Sequence, residues 1–299
     1  PRAVGLDEVF DTAVFGSTDA VAERWRTCGG RLRTPIGRRG EEVVWFDLER
    51  DGPHGLIAGT TGSGKSQLLQ SIVVGLAASV SPEDLSMLFI DFKGGAAFAD
   101  CTALPHCVGM VTDLDGHLAD RVLRSLAAEI RRRERLLAAH GASDLAGYRQ
   151  RPRIDALARL VIVIDEFASI AAEIDGFVDA MVDIGRRGRS LGIHLLLATQ
   201  RPAGVVTEHL RANVNLRIAL RMADPHESEN VIGIAAAATI PRSTPGRAVM
   251  RAGQGAVVLF QAASVALVDS ACGDRLDPVE LAPAASVGQR FRVWNGTVK

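Results

Sequence analysis

Eight residues restrict what this chain can fold into more than any others: Gly59-Thr60-Thr61-Gly62-Ser63-Gly64-Lys65-Ser66. They sit between a short apolar run at 56–58 and a stretch carrying Leu68, Leu69, Ile72, Val73 and Leu76 at helical spacing. The pattern G-x-x-x-x-G-K-S has chemical meaning only as a loop leading from a strand into a helix, and that is its setting here. The glycines let successive backbone N–H groups turn inward around phosphate oxygens, and the helix N-terminus adds partial positive charge. Lys65 supplies a mobile point charge for β- and γ-phosphates, and Ser66 a hydroxyl for Mg²⁺. The plain alternative, a glycine-rich turn with no ligand, fits poorly with a motif that has every position filled. ATP and Mg²⁺ are the expected ligands.

The loop implies an α/β fold, and the rest of the sequence agrees. Runs rich in Leu, Ile and Val at 56–58, 87–90, 160–164, 193–198 and 216–220 read as strands covered on both faces, with helices between them, the signature of a parallel sheet. Leu118, Val122, Leu126 and Ile130 mark one helix, with Gly141 as its stop, and Phe177, Met181 and Ile184 another, ending near Gly188. Val249 and residues 256–260 read as a closing hairpin. Upstream, 20–26 reads as a short helix, and 32–36 with 43–48 as a hairpin turning at Gly37-Arg38-Arg39-Gly40. The expected division is an N-terminal embellishment over 1–52, a nucleotide-binding domain over 53–270, and a tail or appendage over 271–299. A hydrophobic content of 47% in 299 residues allows a large core.

A second motif completes the phosphate chemistry. Residues 159–164 form a hydrophobic strand ending in Asp165 and Glu166. Such a strand delivers both carboxylates to the carboxyl edge of the sheet, where α/β folds bind ligands. Asp165 suits Mg²⁺, and Glu166 suits a general base that orients and polarises water. An acidic residue after a strand often just caps a helix, but the neighbouring phosphate loop favours catalysis. Gln200, after the strand at 193–198, is the candidate sensor of the γ-phosphate or the water. Gly185-Arg186-Arg187-Gly188-Arg189-Ser190 reads as a basic loop after a helix. One of its arginines could serve a neighbouring copy's nucleotide as an arginine finger. Arg131, Arg132, Arg133 and Arg135, interleaved with Glu129 and Glu134, read as a solvated helix face, with Glu129 and Arg133 paired at four-residue spacing.

Charge excludes little. The formal net charge is −1, so no overall field draws the chain to nucleic acid or to an acidic membrane. Lysine occurs only at 65, 93 and 299, and arginine supplies the other 31 basic residues. A lysine here therefore calls for a reason. The four cysteines, Cys28, Cys101, Cys107 and Cys272, form no CxxC pair and read as reduced thiols. No apolar run is long enough to span a bilayer. Because the first residue is not methionine, the sequence reads as a piece excised from a larger protein.

Together these motifs resemble FtsK/SpoIIIE-type ATPases and, within them, the EccC/EssC branch of type VII secretion. Asp91-Phe92-Lys93-Gly94-Gly95 is the most specific mark: the DNA-pumping branch tends to carry Asp-Pro-Lys at this place. Pro35-Ile36-Gly37, Gly52-Pro53-His54-Gly55-Leu56, Gly192-Ile193-His194-Leu195, Ala198-Thr199-Gln200-Arg201-Pro202 and Ser243-Thr244-Pro245-Gly246-Arg247-Ala248 are similar to family segments. The resemblance runs from about 34 to 265. It implies a RecA-like core working as a homo-oligomer, a hexamer, or as tandem ATPase domains of one chain. It assigns the arginine finger to Arg189, and it places Gln67, where the secretion branch often has glutamate, with residues 59–66 in the nucleotide-contacting set. It further implies weak ATPase activity in the isolated monomer, Esx-type secreted proteins and secretion-channel membrane components as partners, and a cytoplasmic placement in a membrane-anchored bacterial protein. A DNA translocase and a regulatory nucleotide-binding module with little turnover are the competing expectations.

Overall fold

The computed structural model describes residues 3–10, 12–91, 97–112, 116–151 and 156–267. Among them, eleven strands form one mixed sheet in the order β3-β2-β11-β10-β9-β4-β8-β7-β5-β6, with β1 paired to β11. The strands are β1 (Val4–Gly5), β2 (Arg33–Arg39), β3 (Glu42–Asp47), β4 (Gly55–Ala58), β5 (Leu85–Asp91), β6 (Cys107–Thr112), β7 (Arg159–Asp165), β8 (Ile193–Thr199), β9 (Leu216–Ala219), β10 (Arg247–Ala252) and β11 (Val258–Ser264). The six strands from β9 to β6 are mutually parallel. The strands β10, β11, β2 and β3 add an antiparallel wing. This is the expected RecA-like P-loop architecture, with a mostly parallel centre.

Helices α1 (Thr18–Thr27), α2 (Lys65–Ser79), α3 (Gly116–Ala139), α4 (Leu145–Arg149), α5 (Phe167–Glu173), α6 (Phe177–Leu191), α7 (Glu208–Asn213) and α8 (Pro225–Ile232) connect and cover the strands. Alternation along each strand feeds two cores. Leu56, Ile162, Leu195 and Leu197 join the core under α3, α5, α6 and α8. Ile57, Val161, Val163 and Leu196 join the one under α2. No helix among the described residues is long and apolar enough to cross a membrane.

Four differences from the sequence reading have physical causes. The hairpin of β2 and β3 is part of the main sheet, because Gly37 and Arg38 pair with Ala262 and Gln261 of β11. Its turn falls after Arg39, where Gly40 takes φ +60°, so Gly37 is a strand residue; a Cβ there would meet the Gln261 carbonyl. The segment Gly185-Arg186-Arg187-Gly188-Arg189-Ser190 is helical and not a loop: α6 runs through it to Leu191 and stops at Gly192 with φ +66°. Gly185 and Gly188 are buried because the helix needs a flat flank there; a Cβ on Gly188 would stand 2.4 Å from the Ile193 carbonyl. Finally, the arginine-rich stretch of α3 is not wholly solvated. Arg133 is 1% exposed, donating to Leu191 O at 2.8 Å and Ala158 O at 2.9 Å, and its Nε reaches Glu129 at 2.8 Å.

Candidate nucleotide site

The phosphate loop leaves the end of β4 and enters α2, as a strand–loop–helix motif must. Gly62 and Gly64 adopt φ +74° and +96°, backbone that L residues rarely take. Gly64 carries a second constraint, since a Cβ there would lie 2.8 Å from the Gly246 amide. The loop is pinned from several directions. Gly59 N–H donates to Thr199 O at 3.2 Å, and both the N–H and the hydroxyl of Thr60 donate to Arg221 O at 3.0 Å. Gly246 N–H donates to Ser63 O at 2.8 Å. These bonds hold the loop open around its own amides, and this geometry fits a triphosphate. The Ser63 hydroxyl is buried without a partner among the described residues.

Behind the loop, Lys65 is 4% exposed, and its ammonium donates to both carboxylates, Asp165 Oδ1 and Glu166 Oε1, the latter at 3.2 Å. Asp165 Oδ1 also accepts the Glu166 N–H at 2.9 Å. Glu166 has φ 55°, the one non-glycine residue with positive φ among those described, and strain of this kind concentrates at working sites. Gln200 closes the unit. Its Nε2 donates to Glu166 Oε1 at 2.5 Å, and its Oε1 accepts from the Thr61 hydroxyl at 2.7 Å. One polar chain therefore runs from the rim of the loop through Gln200 to the base candidate and the lysine. Ser66 is exposed on the first turn of α2, open to a metal ion. Two carboxylates and a hydroxyl offer the oxygen ligands that Mg²⁺ takes, and the loop amides with Lys65 offer the N–H donors that phosphate takes.

The remaining candidates are placed as follows. Gln67 is exposed, and its side chain accepts from Ser264 Oγ at 3.1 Å at the end of β11, away from the loop amides. Arg189 is exposed on the last turn of α6, at the amino edge of the sheet, opposite the chain's own loop. It is not brought together with Lys65 and Glu166. Arg187 is tied to Glu134 at 2.9 Å and to Asp183. Lys93 lies outside the described residues. Asp91, beside Asp165 in register, is buried and accepts from Ala97 N–H at 3.3 Å.

Two contributors escaped the sequence reading. Arg221, at the tip of β9, donates from its guanidinium to Thr61 O at 3.1 Å. It sits 160 residues from Thr61, and no local pattern announces that contact. Gly246 stood in the sequence only within a family-like segment with no role attached; in the fold its φ of +78° and its bond to Ser63 O give the reason for glycine there. Below the site, His54 ties the start of β4 to α6. It accepts the Leu195 N–H on Nδ1 at 3.0 Å, which leaves Nε2–H to donate to Gly185 O at 3.0 Å. Burial lowers its pKa to about 4.

Comparison with known proteins agrees with this geometry. The chain is 36% identical to the type VII secretion system protein EssC of Staphylococcus aureus over 287 residues, covering 93% of the chain and 19% of that protein. It superposes with a TM-score of 0.82 and 32% identity on the cytoplasmic domain of the type VII secretion ATPase EccC of Thermomonospora curvata, covering all of this chain and 35% of that one. The conjugation coupling protein TcpA of pCW3, in its monomer form with ATPγS, matches 79% of the chain and is itself covered to 66%, at 28% identity and a TM-score of 0.67. The chain thus spans about a fifth of the length of the curated relatives it matches. The FtsK/SpoIIIE family matches residues 19–204, nearly two thirds of the sequence, and the chain belongs to that family.

Proposed function

We infer that this chain is an ATP-hydrolysing motor domain of a type VII secretion ATPase, coupling turnover to the export of small helical Esx-type proteins. One observation carries the enzymatic part: Lys65, Asp165, Glu166, Gln200 and Thr61 form a single hydrogen-bonded unit at the mouth of the phosphate loop. The loop amides of residues 59–66 bind the triphosphate. Lys65 leaves the carboxylates to follow the β- and γ-phosphates. Ser66 and Asp165 would hold Mg²⁺, which when bound would supply charge neutralisation at the phosphate oxygens. Glu166, freed of the lysine, takes the proton of the attacking water, and Gln200 keeps its carboxylate aimed while reporting on the loop through Thr61. Arg189 lies at the far edge of the sheet from this site, so it serves a neighbouring copy or a tandem domain. Weak activity in the monomer, rising with assembly, follows.

The similarity to EssC and EccC supports secretion over DNA pumping, whereas that to TcpA favours a DNA-coupled motor. Hydrolysis measured against chain concentration, with an Esx-type C-terminal peptide or duplex DNA added, separates the two. Capture of the peptide without stimulation by DNA is expected. Salt-sensitive stimulation by DNA alone overturns the cargo assignment. Unchanged turnover in Lys65→Ala or Glu166→Gln overturns the enzymatic one.

A further inference from the structure

Three arginines meet at the amino edge of the sheet, on the face opposite α2. Arg217 of β9 and Arg251 of β10 are register partners, and Arg211 closes the last turn of α7. Leu216 and Ile218 point into the core beneath α2, so alternation turns Arg217 to the other side. Among the described residues, none of the three has an ion pair, and the Nε of each is buried without a hydrogen-bond partner. The one side-chain bond in the group, again among the described residues, is a long one, from Arg217 to Gly253 O at 3.5 Å. Burial lowers the Arg217 pKa, and the charges of Arg251 and Arg211 lower it further.

Such an arrangement is costly. Like charges directly opposite on paired strands repel, and half-buried guanidinium groups without acceptors lose solvation. The fold offers little in return. The C-terminal turn of α8 lies against Arg251, where a Cβ on Gly233 would stand 2.6 Å from the guanidinium. A helix end carries roughly half a negative charge against three positive ones. A guanidinium fork matches phosphate geometry, and three forks in one place suit a compact multivalent anion better than an extended polymer. The chain's own nucleotide is not that anion. Arg217 pairs with Leu56, two residues before the end of β4 where the phosphate loop begins, and its side chain leaves the sheet on the face opposite α2, the helix that the loop enters. The edge is shared with Arg189, which lines a cleft of about 270 Å³ beside the cluster together with Glu49, Arg50, Asp51, Asn215 and Gly253, so the carboxylates of this edge lie in that cleft and, among the described residues, are not paired with the three arginines.

We propose that Arg211, Arg217 and Arg251 form a phosphoryl-anion site, filled in the assembled protein by the nucleotide phosphates held in a neighbouring copy. The proposal rests on the assembly-dependent hydrolysis inferred above, and adds three residues to Arg189 on the face that completes the next site.

The test uses Arg217→Gln, Arg251→Gln and the double variant. At concentrations too low for assembly, each should bind a fluorescent ATP analogue as wild type does, because the chain's own phosphate loop is untouched, and each should melt no lower than wild type, because repulsion is relieved. At concentrations where wild-type turnover per chain has risen, the double variant should hydrolyse ATP at least tenfold more slowly. Mixing it with Lys65→Ala chains, which keep the three arginines but lack a working loop, should restore activity. Wild-type-like turnover in the double variant, or no recovery on mixing, overturns the inference. A wild-type rate per chain that does not change with concentration overturns the assembly reading and this inference with it. Melting curves with inorganic phosphate or pyrophosphate distinguish the sources. If those anions stabilise wild type but not the double variant, and turnover is unaffected, the cluster holds free phosphate and the neighbour assignment fails. Loss of duplex DNA binding in the double variant, with turnover unaffected, assigns the cluster to nucleic acid and equally overturns it.

Discussion

Lys65 sits between two buried carboxylates, and that makes a lysine usually discussed for phosphate binding a structural cation as well. Removing it leaves Asp165 and Glu166 facing each other without a counter-charge. Breaking a buried ion pair on one side costs about 3–5 kcal/mol. Lys65→Met should therefore lower the stability of the nucleotide-free chain by an amount of that order, measured by urea unfolding. Lys65→Met with Glu166→Gln should cost less than the two single changes summed, because the second removes the stranded charge. Additive losses would show that the lysine does not pair with Glu166 in solution. At this scale the sequence was highly legible for residues 59–66 and 165–166, since each motif is contiguous and its chemistry depends on neighbours along the chain. It was illegible for Arg221 and Arg133. Their partners, Thr61 O and Leu191 O, are backbone atoms brought close only by the sheet.

Helix α6 shows why an element can be read correctly and still be cut short. Phe177, Met181 and Ile184 gave its apolar stripe, but two glycines inside Gly185-Arg186-Arg187-Gly188 looked like breakers. In the fold they are a contact surface, with Gly185 against Asn213 and Gly188 against Ile193 O and His54. Strand β6 escaped for the opposite reason: Cys107, Gly109 and Thr112 dilute an edge strand that, among the described residues, pairs with β5 alone. The packing of α6 yields a prediction. In an exposed helix interior, replacing glycine by alanine gains up to about 1 kcal/mol. At Gly188 the new methyl meets a backbone carbonyl at 2.4 Å, which cannot move without shifting β8. Gly188→Ala should instead destabilise the chain by roughly 1–3 kcal/mol, the usual cost of overpacking. The urea midpoint should fall, and turnover in the assembled state should fall more than nucleotide affinity, since Arg189 rides on this turn while the loop does not. A rise in midpoint would mean the helix slides freely, and the rigid placement of Arg189 would be lost as an argument.

Across the whole molecule, three histidines give the fold a common acid limit. Burial lowers the pKa of His54 and His106 to about 4 and that of His194 to about 3, where His54, Arg159 and Arg133 add positive charge. All three serve as neutral donors or acceptors between elements: His54 to Gly185 O, His106 to Val80 O at 2.7 Å, and His194 to Pro53 O at 2.8 Å. In the unfolded chain they would titrate near 6.5. The unfolded state therefore binds more protons than the folded one at every pH between the two values, and stability falls as pH falls through that window. Above 6.5 the neutral forms cost nothing and their contribution is complete. Each should remove about 1 kcal/mol between pH 6 and 5, roughly 3 kcal/mol together. Glu129 acts in the same sense at lower pH: burial opposes ionisation, but the hydrogen bonds and charges of Arg132 and Arg133 outweigh it and hold its carboxyl below the usual value. Urea unfolding at pH 7, 6 and 5 should show a loss that steepens through that range, and His194→Asn should remove about a third of the slope. A stability independent of pH from 7 to 5 would mean these rings are reached by water in solution, and the joint between β4, β8 and α6, which sets the phosphate loop relative to Arg189, would not be rigid.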